Sequence, residues 1–205
     1  RLVAISKTKP VEDIQALYNI GHRDFGENKV QELVAKKDML PEDIRWHMVG
    51  HLQRNKVKYI AEFIDLIHSV DSLRLLRAIN KEGQKNEKII PCLLQVHIAM
   101  EETKFGFSGE ELFALLESDE YREMEFVKIR GLMGMATFTE DKDVVEKEFH
   151  YLSALFSKLK KAYFEENRSF SELSMGMTND YRIAIKEGAT MVRIGSLIFG
   201  ERNYT

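Results

Sequence analysis

Two kinds of segment alternate along this chain from one end to the other, and that alternation restricts the possible folds more than any other feature. Short apolar runs rich in β-branched residues are each followed by a longer stretch with apolar residues at helical spacing. The runs predict eight strands, at residues 2–5, 24–26, 46–49, 66–70, 89–98, 129–133, 172–174 and 191–194, of which 24–26 and 172–174 have the weakest patterns. Strands that alternate with helices pair in parallel, and eight such units are the number that closes a (β/α)8 barrel.

The segments between the strands predict helices near residues 10–20, 28–37, 52–63, 72–84, 108–118, 141–165 and 179–187. No linker rich in Pro, Gly or Ser divides the chain. We therefore predict an α/β fold in which residues 1–205 form a single (β/α)8 TIM-type barrel domain. An open doubly wound sheet is the alternative that the same alternation permits.

The two ends of the chain modify this prediction. The sequence starts with Arg1 rather than Met and runs at once into an apolar strand, so we expect a preceding segment that is missing from it. Residues 195–205 are too few for a full helix after the eighth strand. We expect a helix from the missing N-terminal segment to cover that gap.

Composition argues against several classes of function. The 205 residues carry a net charge of −3, whereas a nucleic-acid-binding protein needs a strongly basic face. No apolar stretch approaches the roughly 20 residues that cross a bilayer, so we expect no membrane partner. Cys92 is the one cysteine and lies in an apolar run, so we expect a buried structural thiol, no internal disulfide and a reducing, cytoplasmic location.

In a (β/α)8 barrel the ligand site lies at the carboxyl ends of the strands. Lys7 ends the first strand and shares one strand face with Val3 and Ile5. If that face is the barrel interior, desolvation favours the neutral amine, which is a nucleophile that forms a Schiff base with an aldehyde. Taken alone, Lys7 is better explained as a solvated lysine at a strand end. Lys9 has the same parity, but Pro10 is expected to begin the next helix, which favours Lys7.

The last two predicted strands end in small and hydroxyl-bearing residues, which are Ser174, Gly176, Thr178, Gly195 and Ser196. Barrels often bind phosphate with the loops after strands seven and eight and a neighbouring helix N-terminus. Thr178 or Asn179 is expected to cap the helix that ends near Glu187, and glycine lets a ligand approach the backbone closely. These loops therefore predict a phosphate site, although ordinary turn and capping roles would explain each residue separately.

Three further polar residues occupy strand ends. Arg193 lies inside an apolar run, so we expect its guanidinium to contact a ring nitrogen or a phosphate, with a buried carboxylate as the alternative partner. Asn28 follows the second strand and either binds a ring oxygen or caps the next helix. His51 lies on the same face as His47 and Val49 and is expected to line the pocket. No tight metal-ligand spacing such as HxxxH occurs, and we expect no metal.

An amine, an arginine and a phosphate site at one end of a barrel form the combination that binds pyridoxal 5′-phosphate (PLP). At these residues the sequence resembles the YggS/PROSC family of PLP homeostasis proteins. The similar stretches cover essentially the whole chain, at residues 4–10, 25–28, 46–56, 68–71, 104–107, 131–135, 173–177 and 192–200. Members of that family resemble the N-terminal barrel of alanine racemase and usually begin with an extra helix before the first strand.

The resemblance assigns cofactor binding to the strand-end side chains already singled out, which are Lys7, Asn28, His51, Ser174, Gly176, Thr178, Arg193, Gly195 and Ser196. It implies a PLP Schiff base on Lys7 and a contact between Arg193 and the pyridine nitrogen. Phosphate contacts fall on the loops after the last two strands. The chain departs from the family pattern at His97, where Asn is expected, and at Met100, where Gly is expected.

The resemblance also implies a carrier rather than an enzyme. A PLP racemase needs two bases, one on each face of the cofactor. In alanine racemase the second base is a tyrosine from another domain, and we expect no counterpart here. We therefore predict a monomer that holds PLP for intracellular PLP homeostasis without significant catalysis, with PLP-requiring apoenzymes as candidate recipients. The alternatives are a weak racemase-like PLP enzyme and a Schiff-base aldolase that acts on a phosphosugar.

Overall fold

The computed structural model describes residues 1–99 and 105–201. Its strands are β1 (Leu2–Ile5), β2 (Asp24–Glu27), β3 (Arg45–Met48), β4 (Leu66–Val70), β5 (Ile90–Val96), β6 (Val127–Gly134), β7 (Glu172–Ser174) and β8 (Val192–Ile194). Its α-helices are α1 (Val11–Asn19), α2 (Val30–Lys37), α3 (Leu73–Lys85), α4 (Gly109–Glu117), α5 (Asp119–Arg122), α6 (Lys142–Tyr163), α7 (Tyr181–Lys186) and α8 (Ser196–Phe199). A 3₁₀ helix spans Arg54–Tyr59.

The strands form one parallel sheet in the order β7-β6-β5-β4-β3-β2-β1-β8. Neighbours in this sheet are neighbours in sequence except for β1 and β8, which pair with Leu2 opposite Val192 and so join the two ends of the described chain. At the remaining gap Ser174 and Met191 form a bridge, and the Met175 amide donates to the Met191 carbonyl (3.1 Å). The nearly closed ring confirms the predicted barrel and excludes a doubly wound sheet, whose strand order reverses at a switch point.

Alternate residues of each strand face two different apolar cores, as the pleat of a strand requires. An inner core from opposite sides of the barrel is formed by Val3, Ile5, Leu66, Leu93, Met133 and Met191. A larger outer core lies between the sheet and its helices and includes Phe25, Trp46 and Phe149. Val3 and Ile5 therefore face the barrel interior, which is the condition under which Lys7 was expected to reach the mouth.

Helix α6 shows why the longest periodic segment folds as predicted. The Asp141 carboxylate caps its first turn by accepting from the amides of Asp143 (3.0 Å) and Val144 (3.4 Å). Its buried apolar side chains recur every three or four residues, at Val145, Phe149, Leu152, Leu155 and Leu159. This stripe packs on the sheet, while the opposite face remains polar.

Two connections differ from the sequence prediction. The α-helix expected over residues 52–63 is wrong, because Arg54–Tyr59 forms a 3₁₀ helix followed by separate turns. Three residues per turn still bring Val57 and Ile60 to one buried face, so the apolar spacing alone did not distinguish the two helix types. The short helix α5 was missed, although the Ser118 hydroxyl caps it by accepting from the Tyr121 amide (3.3 Å).

The expectation that Cys92 is a buried structural thiol is confirmed. Cys92 is fully buried in β5 as a free thiol, and burial raises the pKa of that thiol far above its ordinary value. Across residues 1–99 and 105–201, no helix is both long and apolar enough to cross a lipid bilayer.

The bulge between β5 and β6 requires glycine at position 131, and a substitution can test this requirement. This residue has a φ of 152°, and a Cβ there would lie 1.7 Å from the Glu172 carbonyl oxygen of β7. Gly131→Ala is expected to lower the free energy of unfolding by more than about 3 kcal/mol, because backbone strain and overlap with backbone add. Gly21 is the matched control, since its φ is 98° and nothing lies within 4 Å of its added Cβ.

Gly21→Ala is expected to cost only about 1 kcal/mol. Urea unfolding of both variants measures the difference. An equal loss of unfolding free energy in the two variants would show that the added methyl group does not overlap with β7. The close approach of β6 to β7 at Gly131 would then be wrong.

Candidate functional site

A cavity of about 1170 Å³ opens at the carboxyl ends of the strands, where a (β/α)8 barrel binds its ligand. Seven of the nine predicted site residues line it, which are Lys7, Asn28, His51, Thr178, Arg193, Gly195 and Ser196. Ile5, Val49 and Met135 supply apolar wall. An amine, a guanidinium and two hydroxyls thus share one partly apolar cavity, which is the composition of a small-molecule site.

Lys7 directly follows β1 and lines this cavity, as its parity with Val3 and Ile5 predicted. Lys9 also borders the cavity, but its ammonium donates to the carbonyls of Phe199 (2.7 Å) and Glu201 (3.1 Å). Lys9 therefore holds the end of α8.

A buried ionic cluster fixes the backbone on both sides of Lys7. The Lys36 ammonium donates to the Ser6 carbonyl, to Glu27 Oε1 and to Glu32 Oε1, each at 2.7 Å. The Ser6 hydroxyl also donates to Glu27 Oε1 (2.6 Å), and Glu32 Oε1 accepts from the amide of Thr8, the residue after Lys7 (2.6 Å). Sequence reasoning missed this cluster, because nothing in the spacing of these residues showed that α2 directs Lys36 towards the end of β1.

Glu27 is the most constrained member of this cluster. Its side chain is fully buried, and within residues 1–99 and 105–201 its Oε2 is the buried side-chain atom without a hydrogen-bond partner. Burial raises the pKa of the Glu27 carboxyl, although hydrogen bonds from Lys36 and Ser6 oppose that rise. The ion pair with Lys36 and the hydrogen bond from Ser6 therefore offset part of the cost of burying this carboxyl group.

Arg193 of β8 lies almost fully buried at the floor of the cavity. Its Nη1 donates to the Ser174 hydroxyl (2.7 Å) and its Nη2 to the Gly134 carbonyl (3.0 Å). Among the described residues no carboxylate lies within ion-pair distance of it, so the alternative of a structural ion pair is wrong. Burial lowers the pKa of Arg193 to about 10, against the attraction of Asp180, and the guanidinium stays charged at neutral pH.

Two predicted contacts lie beneath the cavity instead of on its wall. Ser174 is fully buried, with its hydroxyl hydrogen-bonded to Arg193 and 2.9 Å from His68 Nδ1. Gly176 has a φ of 90°, and a Cβ there would lie 2.5 Å from Ala184 of α7. Its carbonyl accepts from the Arg193 amide (3.0 Å). We therefore revise both roles, because these residues hold Arg193 and α7 in place and do not reach the cavity.

The predicted phosphate residues converge in the part of the cavity next to β8. The Ser196 hydroxyl donates to the Thr178 hydroxyl (3.1 Å), so the loops after β7 and β8 meet there. A Cβ on Gly195 would approach the Ile5 carbonyl oxygen at 3.2 Å, which explains the need for a small residue. The expected cap of α7 by Thr178 or Asn179 is wrong, since Asp180 occupies that position and its carboxylate accepts from the Met177 amide (2.5 Å).

Asn28 and His51 border the mouth. The helix after Asn28 starts from Lys29, so the capping alternative for Asn28 is wrong and its side chain lies at the cavity wall. The His51 ring stacks on Phe105 with centroids 4.5 Å apart, and its Nδ1 lies 3.1 Å from Asp71 Oδ2. Both residues are therefore placed to contact a ligand at the rim.

The loop after β6 is the part of the cavity that sequence reasoning missed. Residues 135–140 and Lys142 line the cavity, whereas none of the nine predicted site residues lies in this region. The available signal was its position, because this loop follows a strand end as the other site loops do. Met100 and Lys104 lie outside the described residues. His97 is described, with its amide donating to the Phe107 carbonyl (3.0 Å). Within the described residues, no group of three or more His, Cys, Asp or Glu side chains could hold a metal.

Comparison with known proteins shows which family has this sequence and this fold. The family model of the alanine racemase N-terminal domain matches residues 1–203. The pyridoxal phosphate homeostasis protein of Aquifex aeolicus (strain VF5) is 42% identical over 205 residues, which span 100% of this chain and 88% of that protein. The structures of PipY from Synechococcus elongatus PCC7942 without PLP and with PLP bound are 34% identical to the chain, with TM-scores of 0.90 and 0.88, and the matches cover 98% of it and 92% of PipY.

A protein with much lower sequence identity shares the same fold. Alanine racemase from Bartonella henselae, solved with covalently bound pyridoxal phosphate, is 17% identical with a TM-score of 0.74. The match covers 100% of this chain and 59% of that enzyme. The barrel and its strand-end cavity therefore define a protein of the alanine racemase N-terminal domain class. Within that class, the chain belongs to the family of pyridoxal phosphate homeostasis proteins.

The ionic cluster around Lys7 is tested by comparing two adjacent lysines of α2. Lys36→Met is expected to lower the free energy of unfolding by about 3–5 kcal/mol, because it leaves the buried Glu27 carboxylate unpaired. Lys37→Met is the matched control, since Lys37 is only partly buried and pairs with the exposed Asp38 at 3.4 Å, and it is expected to cost less than about 1 kcal/mol. Urea unfolding at pH 7 measures both. A loss for Lys36→Met no larger than for Lys37→Met would contradict the role of the cluster.

Proposed function

We propose that this chain binds PLP in the cavity at the barrel mouth, through a Schiff base on Lys7, and serves intracellular PLP homeostasis. The observation that carries the proposal is the convergence of Lys7, Arg193 and the Thr178–Ser196 hydroxyl pair on one cavity. Two relatives point the same way, since one is called a pyridoxal phosphate homeostasis protein and PipY has a structure with PLP bound.

The residues present fit each chemical part of PLP. A lysine amine condenses with the aldehyde. The Thr178 and Ser196 hydroxyls, together with backbone exposed by Gly195, suit a phosphate that is bound without a lysine. Ile5, Val49 and Met135 offer an apolar wall to the pyridine ring.

Arg193 would determine the electronic state of the cofactor ring. Its Nη atoms donate to Ser174 and Gly134, and Arg193 lines the cavity, where its guanidinium would donate to a pyridine nitrogen. Because the guanidinium stays charged at neutral pH, the ring nitrogen would accept that hydrogen bond without gaining a proton. An unprotonated ring is a weaker electron sink, so this contact favours storage over catalysis.

The supply of bases also favours a carrier over a racemase. Racemisation needs a proton acceptor and a proton donor on opposite faces of the cofactor. No tyrosine lines the described part of the cavity, whereas alanine racemase uses one, from another domain, as the base opposite the lysine. We therefore propose a protein without significant catalytic turnover, with a weak racemase-like enzyme as the second candidate because the fold is shared with racemases.

The remaining parts of the proposal concern the setting of the protein. We propose that residues 1–205 act as a single domain, as a monomer in the cytoplasm, and without a metal, nucleic-acid or membrane partner. PLP-requiring apoenzymes are the proposed recipients of the cofactor. The net charge of −3 and the free, buried thiol of Cys92 support this setting.

Lys7→Ala and Lys9→Ala test the site with matched lysine deletions. Purified protein incubated with PLP is expected to gain a visible Schiff-base absorption band, and borohydride followed by peptide mass spectrometry is expected to locate the adduct on Lys7. Lys7→Ala should lose the band and the adduct entirely, whereas Lys9→Ala should keep both. An adduct on another lysine in the unchanged protein would refute the assignment.

Two activity measurements separate the alternatives. Rapid racemisation of an amino acid by the pure PLP-loaded protein, abolished in Lys7→Ala, would replace the carrier with an enzyme. A protein that stays colourless with PLP, but whose lysine is trapped by a phosphosugar and borohydride, would indicate the Schiff-base aldolase.

A further inference from the structure

The interior of the barrel contains a line of polar side chains that ends at Arg193. His47 Nε2 lies 3.1 Å from Asp24 Oδ1, and His47 Nδ1 lies 2.9 Å from His68 Nε2. His68 Nδ1 lies 2.9 Å from the Ser174 hydroxyl, which accepts from Arg193 Nη1 at 2.7 Å. The four side chains of this interior chain, Asp24, His47, His68 and Ser174, are all buried. They come from β2, β3, β4 and β7 and so cross the barrel.

The hydrogen-bonding capacities of these groups fix the direction of the interior chain. Arg193 can only donate, so the Ser174 oxygen accepts and its proton must go elsewhere. His68 Nδ1 is the acceptor within reach, which leaves the proton of neutral His68 on Nε2, facing His47 Nδ1. His47 then donates from Nε2 to Asp24. In the opposite direction the Ser174 proton would have no acceptor among the described residues, at a cost of about 1–3 kcal/mol.

The far end of the interior chain is anchored by charge. Arg45 donates to Asp24 through Nε (2.9 Å to Oδ1) and Nη2 (2.6 Å to Oδ2). Burial raises the pKa of Asp24, but hydrogen bonds from Arg45 and His47 outweigh it and hold the pKa well below the ordinary value. Burial, with the positive charge of its neighbours, lowers the pKa of His68 well below the ordinary value, so its ring is neutral. The interior chain therefore runs from a cation at the cavity to a carboxylate at the opposite end.

We propose that Asp24, His47, His68 and Ser174 are positioning residues that orient the Arg193 guanidinium towards the cofactor's pyridine nitrogen. The proposal deepens the proposed function and rests on it. Within the described residues, the Arg193 guanidinium has Ser174 and Gly134 as its hydrogen-bond partners, so the direction of the Ser174 lone pair decides which N–H groups face the ligand. An apolar barrel interior would be cheaper to bury, and the four polar groups lead to Arg193, which lines the cavity.

Ser174→Ala is the smallest change that disconnects Arg193 from the interior chain. Ser69→Ala is the matched control, because Ser69 is a buried serine of β4 whose hydroxyl donates to the Gly50 carbonyl (2.6 Å) and takes no part in the interior chain. The affinity of each variant is measured for PLP and for the PLP analogue in which carbon replaces the ring nitrogen. A residue that acts only on stability would weaken both ligands equally.

We expect Ser174→Ala to bind PLP about tenfold more weakly, and the analogue less than about twofold more weakly, because one charged hydrogen bond loses its alignment. Ser69→Ala should change neither affinity. Equal losses for the two ligands, or no loss for PLP, would overturn the proposal. If the unchanged protein forms no Schiff base with PLP, it is the proposed function that fails.

A second measurement needs neither the cofactor nor a variant. In ¹⁵N-labelled protein without PLP, nuclear magnetic resonance reports which ring nitrogen of each histidine carries the proton. The proposed direction requires neutral His68 with its proton on Nε2 and none on Nδ1. A proton on Nδ1 of His68 would reverse the interior chain and overturn the proposal.

Discussion

The pairing of β1 with β8 is the constraint on which the site depends. Val3 of β1 lies opposite Arg193 of β8, although the whole sheet separates these residues along the chain. Because parallel strands end at the same edge, this register brings Lys7 and Arg193 to one mouth, with Gly195 against the Ile5 carbonyl between them. Without barrel closure, the amine and the guanidinium would lie at opposite edges of an open sheet.

Two separate groups of buried polar side chains hold the charged residues of the site in place. The Glu27–Lys36 ion pair holds the backbone around Lys7, and the chain from Asp24 to Ser174 holds Arg193. Buried charges are expensive unless each hydrogen-bonding group finds a partner, and both systems meet that requirement almost completely. The lysine and the arginine are thus fixed from opposite sides before a ligand arrives, which reduces the ordering that binding must bring about.

The sequence predicted the strands closely because periodicity and β-branched runs report burial directly. Even the weak strand 24–26 is present, as Asp24–Glu27. The 3₁₀ helix was mistaken for an α-helix, since both types place Val57 and Ile60 on one face. The alternation of side chains along a strand predicted that Lys7 and Arg193 face the barrel mouth, and both line the cavity. Lys36, His47 and His68 owe their roles to contacts between distant strands and helices, which local patterns do not encode. Ser174 was named for the wrong contact for the same reason.

We propose that Lys7, Arg193 and the Thr178–Ser196 pair bind the aldehyde carbon, the ring nitrogen and the phosphate of one PLP molecule. A crystal structure of the protein grown with PLP would test this arrangement. We expect continuous density from Lys7 Nζ to the cofactor, an Arg193 nitrogen within hydrogen-bond distance of the pyridine nitrogen, and the phosphate beside Thr178 and Ser196. Density joined to another lysine, or a phosphate held away from the loops after β7 and β8, would contradict it.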